Sequence, residues 1–106
     1  MTTARLAQLL TMLEAEPKDS FLRYGVAMEY ARAGQHDAAI REFGTLLSQD
    51  PSYVAAFFMC GRSHEALGQM ALARGQYEQG IAMANKTGDQ HAAAEMAEAL
   101  AAIPPV

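Results

Sequence analysis

The chain has 106 residues, with Ala at 22 of them and Val and Ile together at only 6, and carries a formal charge of −4 without a block of one sign. Ala is the best helix former and β-branched residues favour strands, so the composition excludes a strand-built domain and predicts an all-helical one. The absence of a basic stripe excludes an electrostatic grip on nucleic acid or on an anionic membrane, and the length allows one domain with a continuous but thin core.

From the N-terminus, Leu6, Leu9, Leu10 and Leu13 follow helical spacing until Pro17, with Arg5, Gln8 and Glu14 interrupting the apolar run. The segment therefore reads as an amphipathic helix and not as a signal peptide. No stretch approaches the ~18 apolar residues that span a bilayer, and the single Cys60 cannot form an internal disulfide. Both point to a cytoplasmic location.

Asp19 or Ser20 suits the N-cap of a second helix, which carries Phe21, Tyr24, Val26, Ala27, Met28 and Tyr30 to Gly34. A third starts at Asp37, turns Ala39, Ile40, Phe43, Leu46 and Leu47 inward, and ends before Asp50-Pro51. Ser52 is placed to cap a fourth, running through Phe57, Cys60, Gly61 and Leu67 to Gly68. A fifth covers about Ala71 to Lys86 and breaks at Thr87-Gly88-Asp89, and a sixth reaches Ile103 before Pro104-Pro105. The connections are short, which makes sequential helices antiparallel.

These elements repeat. Pro17 and Pro51 are 34 residues apart, as are Gly34 and Gly68 (each followed by Gln), Ala39 and Ala73, and the aromatics Phe43 and Tyr77. A period of this size is the mark of stacked helical pairs, each unable to bury its apolar face alone. The first full unit reads Arg23-x2-Val26-Ala27-x2-Tyr30, then Ala39-x3-Phe43, then Pro51. The second reads Phe57-x2-Cys60-Gly61-x2-His64, then Ala73-x3-Tyr77, with Asn85 where the proline belongs. The pattern resembles the tetratricopeptide repeat, and the resemblance covers about two-thirds of the chain. It implies an antiparallel helix-pair solenoid in which Ala27, Ala39, Gly61 and Ala73 sit at close helix crossings. Arg23 and His64 depart from the aromatic positions of the pattern. So does Gly75-x4-Gly80 inside the fifth helix, where each glycine costs ~0.5–1 kcal/mol relative to Ala.

The same register extends to the flanks. Residues 2–16 match the second helix of a degenerate preceding unit, ahead of repeats over 20–53 and 54–87. A strict 34-residue step would bury Gln90, His91, Glu95 and Glu98, which is physically unacceptable. Two inserted residues turn Ala93, Met96, Ala97, Leu100 and Ile103 inward instead. Residues 88–103 then form a capping helix, and the fifth helix is longer than the third.

Catalytic and metal chemistry find little support. His36, His64 and His91 lie on different segments without paired ligand spacing. Cys60 falls on the core side, away from the electropositive, accessible setting of a reactive thiol. Gly75-x4-Gly80 lacks the Lys-Ser/Thr ending of a phosphate loop. Glu14, Glu16, Glu42, Glu78 and Glu95 fall on faces expected to be solvated. The reading is a non-enzyme that needs no cofactor and no metal.

What remains is surface. The resemblance implies that the first helix of each unit lines a concave groove that grips a segment of another protein. Its positions here are Phe21, Tyr24, Met28 and Arg32; then Ala55, Phe58, Arg62 and Glu65; then His91, Ala94 and Glu98. Members that clamp a C-terminal carboxylate use Lys, Asn and Arg where this chain has Tyr24, Met28 and Met59, so that clamp is not expected. The groove instead pairs an apolar end (Phe21, Tyr24, Met28, Phe58) with a polar one (Arg62, Glu65, His91, Glu98). The leading expectation is a protein–protein adaptor that binds an apolar peptide or helix segment. The alternative is a self-assembly module in which two copies, as a homodimer, bury the same grooves.

Overall fold

Six helices account for about four-fifths of residues 3–104, the part described by a computed structural model of the chain. Thr2 and Pro105, which bound the expected first helix and the expected terminal stop, lie outside those residues. The helices are α1 (Ala4–Ala15), α2 (Ser20–Arg32), α3 (His36–Gln49), α4 (Val54–Ala66), α5 (Met70–Thr87) and α6 (Gln90–Ala102). Among the described residues there is no strand. At 18 residues α5 outruns the 14 of α3, as the register of the last unit requires.

Side-chain oxygens begin three of the helices. Thr3 Oγ1 accepts from the Leu6 amide, Asp19 Oδ1 from Leu22 and Asp89 Oδ1 from Ala92, each at 3.0 Å. Asp19, not Ser20, is thus the cap of α2. Ser52 does not cap α4: its hydroxyl donates to Asp50 Oδ1, and the N-cap residue is Tyr53, which offers no capping oxygen. At the opposite ends, Gly34 and Gly68 adopt φ of +79° and +75°. The chain reverses there so that the next amides, Gln35 and Gln69, donate back to Tyr30 and His64 carbonyls at 2.9 Å. Only glycine reaches that conformation without strain, which is why both units end on the same residue.

The core is a row of three clusters and not one ball. Leu6, Leu13 and Val26 join α1 to α2; Ala27, Ala39, Phe43, Leu46, Ala56 and Cys60 join α2, α3 and α4. Val54, Phe57, Ala73, Tyr77, Ala84, Ala93, Met96 and Ile103 join α4, α5 and α6. Tyr30 packs against the first two clusters and Leu47 against the last two, so the row is continuous. The small residues at the crossings are fully enclosed. A Cβ on Gly61 would come closer than 3.0 Å to the Tyr77 ring.

Several inward assignments need correction. Ala97 is exposed and Leu100 is half-buried, because Ala93, Met96 and Ile103 are the buried residues of this segment and Leu100 only flanks them. Gly80 is not a defect of α5. A Cβ there would strike Met96 and Phe57, so its absence lets α6 and α4 approach. Gly75, by contrast, has no neighbour that a Cβ would meet. Glu42 is not freely solvated, since it pairs with Arg23.

The even helices touch one another, α2 with α4 and α4 with α6, whereas α1, α3 and α5 meet only their neighbours in sequence. The even set therefore lies on the inner side of the curve and the odd set on the outer side. This asymmetry creates two different surfaces from one repeated unit.

Candidate functional site

The inner surface begins at the head of α2. Phe21 is 76% exposed, the largest exposure among the big apolar side chains of the described residues. Tyr24 and Met28 follow it at one-turn intervals on the same stripe and are half-buried. Tyr24 lies between Phe43 and Tyr53, with ring centroids at 6.0 and 5.2 Å. Burial raises its hydroxyl pKa, helped by Tyr53 and opposed by Arg32.

On α4, Phe58 is half-buried, its ring 6.0 Å from that of Tyr77, and the Arg62 guanidinium lies over it, 5.7 Å from the ring centroid. Phe58 and Tyr24 are thus each partly committed to the core. The sequence reading left both rings outside it, because helical spacing does not show that an aromatic long enough to reach the groove also leans on the next helix.

Arg62 and Glu65 come together with Met59 and Ser63 in a cleft of about 470 Å³ between the C-terminal halves of α2 and α4, closed by Ala31 and His36. His36 Nδ1 is 3.3 Å from Ser63 Oγ, which ties the α2–α3 corner to α4. Glu65 accepts a hydrogen bond from the Tyr77 hydroxyl. Burial, and then that bond, push the Tyr77 pKa well above the usual phenol range. One carboxylate oxygen of Glu65 is therefore already engaged, and the side chain is held in place.

Arg32 is exposed and pairs at 3.0 Å with Glu29 one turn earlier. Glu29 itself is only 7% exposed and also takes Arg5 of α1 at 2.7 Å. Sequence reasoning passed over this carboxylate, although Glu29 and Arg32 stand three apart on one helix and Arg5 occupies the matching register in the preceding half unit. On α6, His91 and Glu98 are exposed, and His91 Nε2 faces Glu95 at 3.4 Å within its own helix. Neither reaches the Arg62–Glu65 cleft, so the polar positions fall into two separate groups.

Arg23, the departure from the aromatic pattern, has a structural role. It bonds Glu42 of α3 at 2.6 Å and the Pro17 carbonyl at 2.9 Å, holding the entry loop and the second helix of its unit. His64 fills the other departure, buried, with Nδ1 2.8 Å from Gln69 Oε1 across the α4–α5 turn. Cys60 is 3% exposed, and burial pushes its thiol up to about 11. Among the described residues no three His, Cys, Asp or Glu side chains converge as a metal site would need, and no helix is long and apolar enough to cross a membrane.

No family model matches the chain. It is, however, 35% identical over 85 residues to a TPR repeat-containing protein of Pseudomonas aeruginosa, a match covering 80% of this chain and 81% of that one. The chain belongs to the tetratricopeptide-repeat family. Two solved structures carry the same architecture. A tetratricopeptide repeat domain protein of Salinibacter ruber superposes with a TM-score of 0.75 at 32% identity, over 79% of this chain and 85% of that one. A Bordetella parapertussis protein superposes with a TM-score of 0.85 at 30% identity, over 96% and 89%.

Within a tetratricopeptide-repeat frame, the two departures acquire a common explanation. Arg23 and His64 each replace an aromatic contact with a polar one, and each is anchored by a partner at a loop. The fold is one that generally mediates protein–protein interaction.

Proposed function

We propose that this chain is a protein–protein adaptor, without catalytic activity of its own, whose inner face receives an apolar segment of a partner. The observation that carries the reading is Phe21. A phenyl ring three-quarters exposed gains nothing for the fold, yet it heads a stripe continued by Tyr24, Met28 and Phe58. Rigid aromatics bury much area at small entropic cost and dominate binding energies where they occur. Met12, Leu67, Met70 and Leu72 are also exposed, each less than Phe21, and none of them is aromatic.

Phe21 and the outer edges of Tyr24 and Phe58 act as anchors. Arg62, stacked on Phe58, and the free oxygen of Glu65 orient the polar side of the bound segment. Arg32, His91 and Glu98 form the rim, where charge affects encounter more than affinity.

Selection of random peptides displayed on phage against the immobilised chain tests this. Enriched peptides should carry apolar residues along one side. Phe21→Ala should weaken their binding by at least about 1–2 kcal/mol while leaving the thermal midpoint unchanged. Peptides that bind Phe21→Ala and Arg62→Ala as well as the parent chain would remove the groove from the interaction. A concentration-dependent dimer that Phe21→Ala dissociates would assign the face to a second copy.

A further inference from the structure

On the outer side α3 and α5 stay apart, and the gap between them forms a cleft of about 640 Å³. Phe57 and Cys60 of α4 make its floor, Ile40 and Leu47 of α3 one wall, and Met83 of α5 the other. The volume lies within the ~300–1,000 Å³ of pockets that enclose one small molecule, and the lining is mainly apolar, as such pockets are.

Two further features give the cleft a chemistry. Gly44 lines the α3 wall, and a Cβ added there would meet nothing within 4 Å. Gly61 and Gly80 are required by neighbouring side chains, whereas Gly44 is not, and a glycine inside a helix is unfavourable relative to Ala. Its effect in this fold is to keep the wall of the cleft open. The second feature is Lys86. It is the one charged side chain lining the cleft among the described residues, and no carboxylate lines it, in a chain of net charge −4. Lys86, Ser48 and Pro51 mark one end, where α3 and α5 both finish; Gln76 and His64 mark the other, ten residues or ~15 Å away along α5. The apolar wall of Leu47, Phe57 and Met83 is bounded by a cation at one end and by Gln76 and His64 at the other, with Gln79 between Gln76 and Lys86 along α5.

We infer that the cleft between α3 and α5 binds one small amphiphile, with its apolar chain along Leu47, Phe57 and Met83 and a single anionic head group at Lys86. The site is on the opposite side from the inner face and stands independently of the adaptor reading.

Sodium decanoate and neutral 1-decanol, titrated separately into the methyl-labelled chain and followed by NMR, test the inference. Decanoate should shift the Ile40, Leu47 and Met83 methyl signals and saturate at one molecule per chain. Gly44→Leu adds a side chain to the cleft wall at a position where a Cβ meets no neighbour, and should weaken decanoate binding at least tenfold. Ala82→Trp, on the facing wall, serves if the first variant does not fold. Lys86→Gln should weaken decanoate severalfold and leave decanol unchanged. The inference fails if decanoate leaves these signals unmoved, shifts Met28 and Met59 instead, or binds both cleft-filling variants as it binds the parent chain. An unchanged preference for decanoate in Lys86→Gln overturns the assignment of the head group. A parent dimer that Gly44→Leu converts to monomer in the ultracentrifuge shows a second copy in the cleft and overturns the small-molecule assignment.

Discussion

Glycines in the middle of these helices are of two kinds, and the same substitution should affect them oppositely. At Gly61 and Gly80 a Cβ would invade Tyr77 in one case and Met96 with Phe57 in the other. Gly61→Ala and Gly80→Ala should each cost about 1–3 kcal/mol, as overpacking does, because the Tyr77 ring is buried and the Phe57 Cβ, unlike the Met96 thioether, cannot swing aside. Gly75→Ala meets nothing and should gain up to about 1 kcal/mol from helix propensity. Urea midpoints of the three variants check the contrast, and a stabilised Gly61→Ala would contradict the packing described here. Cys60 supplies a second test. Its folded pKa is about 11 against an ordinary 9.0, with burial as the cause. An acid whose pKa is raised by folding leaves stability unchanged below the lower value. Stability is then lost as the pH rises from 9 towards 11, because only the unfolded chain gives up the proton. The loss should reach about 2–3 kcal/mol, and Tyr77, shifted in the same direction, adds to it at higher pH. At pH 8 the native thiol should react with an aromatic disulfide much more slowly than in urea, since it is buried and less ionised in the folded chain.

At the scale of the element, α6 has a clearer role than its exposed alanines suggest. Met96 and Ile103 are buried against the last core cluster, with Leu100 beside them. Arg74 of α5 also donates to the carbonyls of Ile103 and Pro104, at 3.3 and 3.4 Å, and so fastens the end of α6 to the start of α5. Burying each large apolar side chain contributes about 1.5–3 kcal/mol, and small domains hold only about 5–15 kcal/mol in total. Deleting residues 88–106 should therefore lower the melting temperature sharply or cause aggregation, by uncovering Ala84, Tyr77 and Phe57. A truncated chain that remains monomeric with an unchanged midpoint in calorimetry would deny α6 its role as a cap. Helix α1 touches only α2 and is fastened by three buried residues and the Arg5–Glu29 bridge, so its amides should exchange first.

The whole molecule is a short row of dependent units. Three clusters would allow three unfolding steps if they were separate, but Tyr30 and Leu47 each belong to two of them. Stacked repeats gain stability from their interfaces, and so few cannot stand alone. Helicity by circular dichroism and tyrosine fluorescence, which reports Tyr24, Tyr30, Tyr53 and Tyr77 across the three clusters, should give one coincident transition in urea. Two separated midpoints would mean that the bridging side chains do not couple the row. The curvature belongs to this scale too. Even helices meet and odd ones do not, and the two sides carry different clefts, of about 470 Å³ between α2 and α4 and about 640 Å³ between α3 and α5.

The 34-residue period, the glycines at 34 and 68 and the two residues added before α6 were legible because each is a local demand. A left-handed turn needs glycine wherever it falls, and an apolar stripe must keep its spacing. The same reasoning placed Phe43, Leu46, Ala73 and Tyr77 in the core, since a buried face is a property of one helix. It could not distinguish Gly80 from Gly75, turn Ala97 outward, or find that Tyr24 and Phe58 lean on Phe43 and Tyr77. Periodicity tells which side of a helix is covered, but the depth of cover is set by the sizes of side chains on other helices. Glu29 between Arg5 and Arg32, Glu65 beneath the Tyr77 hydroxyl, and the cleft opened by Gly44 were decided by tertiary structure alone, because each depends on the distance between helices that only their mutual packing determines.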